Sequence, residues 1–187
     1  MAGSARIRLP WELKDVCGEV EKILCGKNVQ MLEGADMKRI LVVYHSQEYG
    51  NTAKMAELVA RGCQQVSGVE VEMINTNNSR VNMETAEQAD GFAIGSPDYF
   101  SYVAGGVKQF FDDLYIAALA GKNVKGKPCV LFMTHGGGGK GIAGLESLAR
   151  AMNLEIIAPS VTCQGAPGGD ASQQGIELGK LLAERIS

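Results

Sequence analysis

The sequence predicts an α/β protein built on an open parallel sheet with helices on both faces. Two observations carry that expectation. Short apolar, β-branched runs recur along the chain, and segments with apolar residues at helical spacing separate them. Several of the runs also end in loops rich in Gly, Ser, Thr, Asn or Pro, where a sheet of this kind binds its ligands.

The first run, Ile40 to Tyr44, reads as a strand buried on both faces. Gly50 follows closely, and Ala56, Val59, Ala60, Cys63 and Val66 then mark one face of a helix. Between strand and helix lie Ser46, Asn51 and Thr52, which offer hydroxyls, an amide and backbone N–H groups. A strand turning through such a loop into a helix N-terminus makes an anion site. Val69 to Ile74 alternates apolar and polar residues, as an edge strand does, and residues 75–82 form a polar turn segment. A brief helix is expected over 84–89 and a strand over 91–94, running into the loop 95–102. Val103, Val107, Phe110, Phe111, Leu114 and Ala118 mark the next helix face.

A fourth strand is expected over 127–134, followed by His135 and four glycines. Ile142, Leu145, Leu148, Ala149 and Met152 then face inward from a helix. The fifth strand, 154–161, contains Pro159, which favours an edge position or a bulge. A Gly/Pro-rich loop over 164–170 leads to a closing helix over 172–186. Strands alternating with helices imply right-handed parallel crossovers, with ligands bound at the carboxyl ends of the strands. The three loops 45–52, 95–102 and 134–141 are expected to converge there.

Composition narrows the function. The chain has 187 residues and a net charge of −3, which gives no nucleic-acid footprint. Cysteines stand at 17, 25, 63, 129 and 163, none in Cys-x-x-Cys spacing, so no metal centre is expected. An odd cysteine count with no disulfide framework, no signal-peptide pattern and no spanning apolar run point to a cytoplasmic protein with no membrane partner. Ahead of the first strand, Leu13, Val16, Cys17, Val20, Ile23 and Leu24 form an amphipathic pattern ended by Gly26, expected as a packing helix. An interaction arm is the functional alternative, and a translation start at Met37, directly before the first strand, is a further one.

Two separated motifs resemble one family. Tyr44-x-Ser46-x-x-x-Gly50-x-Thr52-x-x-x-Ala56-x-x-Val59 resembles the flavodoxin phosphate loop. Gly95-Ser96-Pro97, with aromatics behind it and the Val107–Asp112 helix following, resembles the flavin-contacting loop of flavodoxin-like NAD(P)H:quinone oxidoreductases and FMN reductases. The resemblance covers residues 38–187 and leaves 1–37 as an extension. It implies a flavodoxin-like five-stranded sheet of order 2-1-3-4-5 that binds FMN, an order for which flavodoxin is itself the standard example. It places Ser46, Tyr49, Gly50, Asn51 and Thr52 around the FMN phosphate. Ser96, Pro97, Asp98, Tyr99, Phe100 and Ser101 would border the ring and ribityl chain, and Thr134, His135, Gly136 and Gly137 would approach from the other side.

Two departures stand out. Three residues separate Ser46 from Gly50 where the signature has two, so one of Gln47, Glu48 or Tyr49 must bulge. Asp98 occupies a position where the quinone-reductase relatives usually carry threonine. His135 has two readings, a catalytic residue that bonds flavin or acceptor and supplies a proton, or a loop histidine bonded to backbone. The leading expectation is an FMN-dependent oxidoreductase passing electrons from NAD(P)H to a quinone or similar acceptor. The alternative is a flavodoxin-type carrier that docks to redox proteins. Relatives of the first type are often homo-oligomeric.

Overall fold

The computed structural model describes residues 37–187, and the expected N-terminal amphipathic helix lies outside the described residues. The described elements are, in order, β1 (Lys38–Tyr44), α1 (Asn51–Cys63), β2 (Val69–Asn75), α2 (Met83–Gln88), β3 (Gly91–Tyr99), β4 (Tyr102–Val103), α3 (Gly105–Leu119), β5 (Pro128–His135), α4 (Gly141–Ala151), β6 (Glu155–Ile156), β7 (Val161–Gln164) and α5 (Gly169–Ile186). The sheet runs β2-β1-β3-β5-β6, with β7 also on β5. Every pair is parallel except the β3–β4 hairpin.

The expected five positions are therefore present, with the fifth divided. β6 pairs with the start of β5, at Pro128 and Cys129, and β7 pairs with its end, from Phe132 to His135. Pro159 lies in the gap, where its missing N–H and fixed φ interrupt the strand. A second difference concerns residues 95–99. They were expected as loop, but β3 continues through them, pairing with β1 as far as Gly95 and with β5 as far as Pro97. Beyond that point the strand folds back antiparallel on β4.

Successive residues of the central strands serve opposite faces, as the two-residue period requires. Leu41, Val43, Phe92, Ile94, Leu131 and Met133 join one apolar cluster with Val107, Phe110 and Leu114 of α3 and Leu145 of α4. Ile40, Val42, Ala93, Val130 and Phe132 join the other with Met55 and Val59 of α1 and Leu178 and Leu182 of α5. On the edge strand β2, Val69 and Val71 pack on the second cluster and Ile74 on the first, while Glu70, Glu72 and Met73 are exposed.

α1 and α5 approach backbone to backbone. A Cβ on Gly62 would lie 1.9 Å from the Ile176 carbonyl oxygen, and one on Gly179 would lie 1.9 Å from that of Val59. Neither contact can be relieved by a rotamer change. Gly179→Ala is therefore expected to lower stability by about 1–3 kcal/mol, the usual range for overpacking. A urea titration of the variant checks this, and an unchanged midpoint would show that the helices separate freely.

Candidate functional site

The carboxyl ends of β1, β3 and β5 surround a cleft of about 380 Å³. Its walls include Ser46 to Thr52, Pro97 to Tyr99, Thr134 to Gly136, and Gly165 from the loop after β7. The three predicted loops do converge. Another groove, of about 410 Å³, lies along β1 and β2 beside α2 and shares none of these loops.

The first wall is a helix N-terminus. The Gly50 N–H donates to the Gln47 carbonyl oxygen at 3.1 Å, closing a turn with Glu48 and Tyr49 at its apex, both exposed. These two apex residues also border the cleft. Gly50 then takes φ +66° before the first turn of α1, a conformation that costs glycine little. The Ala53 N–H is taken by Ser46 Oγ at 3.2 Å and the Lys54 N–H by the Gly50 carbonyl at 3.0 Å. The N–H groups of Asn51 and Thr52 have no partner among the described residues, as expected for a first helical turn. The first turn carries no acidic side chain. These free N–H groups and the helix dipole favour an anion.

Hydroxyls add to this seat. Thr52 Oγ1 and Thr134 Oγ1 are 2.7 Å apart and buried, so one of their two hydrogens joins them and the other remains to donate. Ser46 Oγ accepts from Ala53 and keeps its own hydrogen. The Ser46 backbone is fixed by Asn75, whose Oδ1 accepts the Ser46 N–H and whose Nδ2 donates to the Ser46 carbonyl, both at 3.0 Å. This side chain continues the β1–β2 ladder beyond its last backbone pair.

The second wall comes from the β3–β4 hairpin. Tyr99 donates through its hydroxyl to Gln47 Oε1 at 3.0 Å, and Gln47 Nε2 donates to Asn77 Oδ1 at 3.1 Å. The Tyr99 ring stands edge-on to His45, with centroids 6.1 Å apart. Asp98 Oδ2 accepts the Gly141 N–H at 3.3 Å. Asp98 Oδ1 and His135 Nδ1 are both buried without a hydrogen-bond partner among the described residues.

Most of the anticipated residues meet in the cleft: Ser46, Tyr49, Gly50, Asn51, Thr52, Pro97, Asp98, Tyr99, Thr134, His135 and Gly136. Four do not line it. Ser96 is wholly buried and serves as a strut, donating to the Pro97 carbonyl and accepting the Ala104 N–H. Phe100 and Ser101 form the hairpin tip, with φ 56° and 62°, and Phe100 is fully exposed. Gly137 is exposed on the glycine loop. Asn75, Thr76 and Asn77 went unrecognised as site scaffold, although the carboxyl-end rule applies to β2 as well and could have flagged them. Among the described residues no group of acidic, His and Cys side chains could hold a metal. Burial pushes the Cys63 and Cys129 thiols up to about 12, which leaves no thiolate there.

The fold and the cleft define a class, the flavodoxin-like FMN-binding flavoproteins. Residues 38–166 match the NADPH-dependent FMN reductase family, and the chain belongs to it. It is 37% identical over 128 residues to a flavodoxin of Aquifex aeolicus, covering 67% of this chain and 66% of that one. It is also 31% identical over 163 residues to a nitric oxide reductase of Moorella thermoacetica, covering 83% of this chain but 38% of the relative. Among solved structures, an archaeal flavodoxin superposes with a TM-score of 0.68 at 26% identity, covering 79% of this chain and 98% of that one. The chain thus spans about two thirds of the first of these relatives and little over a third of the second. Its cofactor is FMN.

Two measurements probe the scaffold. Asn75→Ala removes both bonds to Ser46 and is expected to cost about 1–3 kcal/mol in chemical denaturation, because the Ser46 N–H and carbonyl lose their partners. His45 is buried and pairs through Nδ1 with Thr76 Oγ1 at 3.1 Å, and burial holds its imidazole below the ordinary range. The unfolded chain therefore binds the extra proton first. This contribution to stability is full above about pH 6.5 and is lost as pH falls below it toward the folded midpoint. Stability measured from neutral to mildly acid pH should fall less steeply in His45→Gln than in the parent.

Proposed function

We propose that the protein is an FMN-dependent oxidoreductase that takes electrons from NAD(P)H and delivers them to a quinone or similar acceptor. The observation that carries this reading is the composition of one cleft. An anion seat at the start of α1, an aromatic wall at Tyr99 and the polar residues Asp98 and His135 all line it. That donor set suits a phosphate at one end and a flat, polar-edged ring at the other. The Asn51 and Thr52 N–H groups and the hydroxyls of Ser46 and Thr52 would hold the phosphate. Pro97, Tyr99 and Gly136 would border the ring.

FMN, when bound, supplies the capacity to accept a hydride and to pass electrons on. The chain's own part is to orient that group, narrow the approach to it and place a proton nearby. His135 is the proposed proton source, since it lines the cleft. The family match to NADPH-dependent FMN reductases supports a nicotinamide donor. The absence of a membrane-spanning helix among the described residues and three buried free cysteines support a reducing, cytoplasmic setting.

A second reading has its own support. The likeness to the Aquifex flavodoxin and the exposed Tyr49 and Phe100 beside the cleft suit a carrier that docks to redox proteins. Absorbance spectroscopy separates the two. The purified protein should be yellow or become so with added FMN, and a colourless protein that fails to bind FMN would sink both readings. NADH or NADPH should then bleach the flavin band within the time of a stopped-flow trace. If only a chemical reductant bleaches it, the carrier reading stands instead.

A further inference from the structure

The segment after β2 holds the loop after β1 residue by residue. Asn75 bonds both backbone groups of Ser46, Thr76 Oγ1 meets His45 Nδ1 at 3.1 Å, and Asn77 Oδ1 accepts from Gln47 Nε2 at 3.1 Å. Asn75 Oδ1 also accepts the Asn77 N–H at 3.1 Å, which fixes the segment itself. None of the three borders the cleft. Two of the residues they hold go on to grip Tyr99. The His45 ring meets the Tyr99 ring edge-on, and Gln47 Oε1 accepts the Tyr99 hydroxyl at 3.0 Å.

The Gln47 amide has two ends of opposite chemistry, and each end has a partner of the matching kind. Turned over, it would set Oε1 against Asn77 Oδ1, two acceptors with no hydrogen between them. Asn77 is held the same way round, because its Nδ2 donates to Asn78 Oδ1 at 3.4 Å. Asn77 therefore orients the amide, and the oriented amide presents an acceptor to Tyr99. Tyr99 needs this tether. It lies beyond the last pairs of β3 with β1 and β5, and only the two-residue β4 continues the ladder beside it. It is 39% exposed, and the positive-φ residues Phe100 and Ser101 follow it directly. Backbone of that kind persists only where its surroundings hold it.

We propose that Gln47 is a positioning residue that latches Tyr99 to the anion loop, so that the aromatic wall is set before the flavin enters. Gln47 then contributes to cofactor binding through Tyr99 and not by touching the phosphate, although it belongs to the loop that forms the anion seat. A wall set in advance raises affinity by removing an ordering cost from the binding step. The placement of Tyr99 at the flavin ring rests on the site reading above, but the latch itself does not.

A double-mutant cycle between Gln47→Leu and Tyr99→Phe in the 187-residue chain tests this. Gln47 is exposed and Tyr99→Phe keeps the ring, so neither change opens the core. In the flavin-free protein, amide hydrogen exchange over residues 98–103 should rise several-fold in each single variant, with no further rise in the double variant. FMN titrated into the same proteins should bind Gln47→Leu about 2- to 10-fold more weakly than the parent, the range for one hydrogen bond. In the Tyr99→Phe background the Gln47 change should leave the dissociation constant unmoved. Unchanged exchange in Gln47→Leu would overturn the latch. An equal loss of FMN affinity in both backgrounds would overturn its role in binding, because Gln47 would then act on the cofactor directly. Raised exchange with unchanged affinity would overturn that role too, since the latch would hold a side chain that the ring does not use. The exchange measurement needs no flavin, so a failure of the site reading leaves the test of the latch intact.

Discussion

The buried hydrogen bond between Thr52 and Thr134 ties together two elements that the sheet keeps apart. Thr52 lies in the first turn of α1, after the loop that follows β1, and Thr134 is the next-to-last residue of β5, with β3 between the two strands. Their 2.7 Å contact fixes the helix N-terminus against the far side of the cleft floor. In a low-dielectric setting such a bond is strong, and losing one partner would strand the other. The distance from the anion seat to the β5 loop thus depends on a pair of hydroxyls as well as on backbone pairing. Asn75 performs a similar task from β2, so the loop after β1 is held from both sides.

Much of this architecture was legible in the residues. Apolar runs at Ile40, Phe92 and Val130 located the central strands, and parallel crossovers required their loops to share one end. The two motifs around Ser46 and Pro97 then pointed to the cofactor. What escaped was settled by tertiary pairing. Local composition made residues 95–99 look like loop because Gly, Ser and Pro are weak strand formers, yet β1 pairs with Gly95, β5 with Gly95 to Pro97, and β4 with Asp98 and Tyr99. Asn75 and Asn77 looked like turn residues, and only the position of β2 beside β1 turns them into site scaffold. Ser96 was expected at the ring, but a small hydroxyl wholly enclosed at a strand end finds backbone partners first.

The hairpin at the cleft rim is unusual in a different way. Both of its central residues, Phe100 and Ser101, adopt positive φ, which two-residue hairpins normally reserve for Asn and Gly. Left-handed backbone at non-glycine residues costs of order 1–3 kcal/mol each and persists where the surroundings enforce it. Here the enforcement comes from the Asp98–Val103 and Tyr99–Tyr102 pairs and from the Ser96 strut beneath them. Stability is traded for a fixed display of aromatic side chains beside the cleft.

The divided strand at the far edge also governs how the molecule behaves toward its own copies. A long, straight outer strand would offer a row of free N–H and C=O groups to any chain that met it. This sheet presents two residues in β6, a break containing Pro159, and four residues in β7. The opposite edge, β2, sets Glu70 and Glu72 along one face. Charge on one margin and interruption on the other discourage strand-by-strand growth into aggregates.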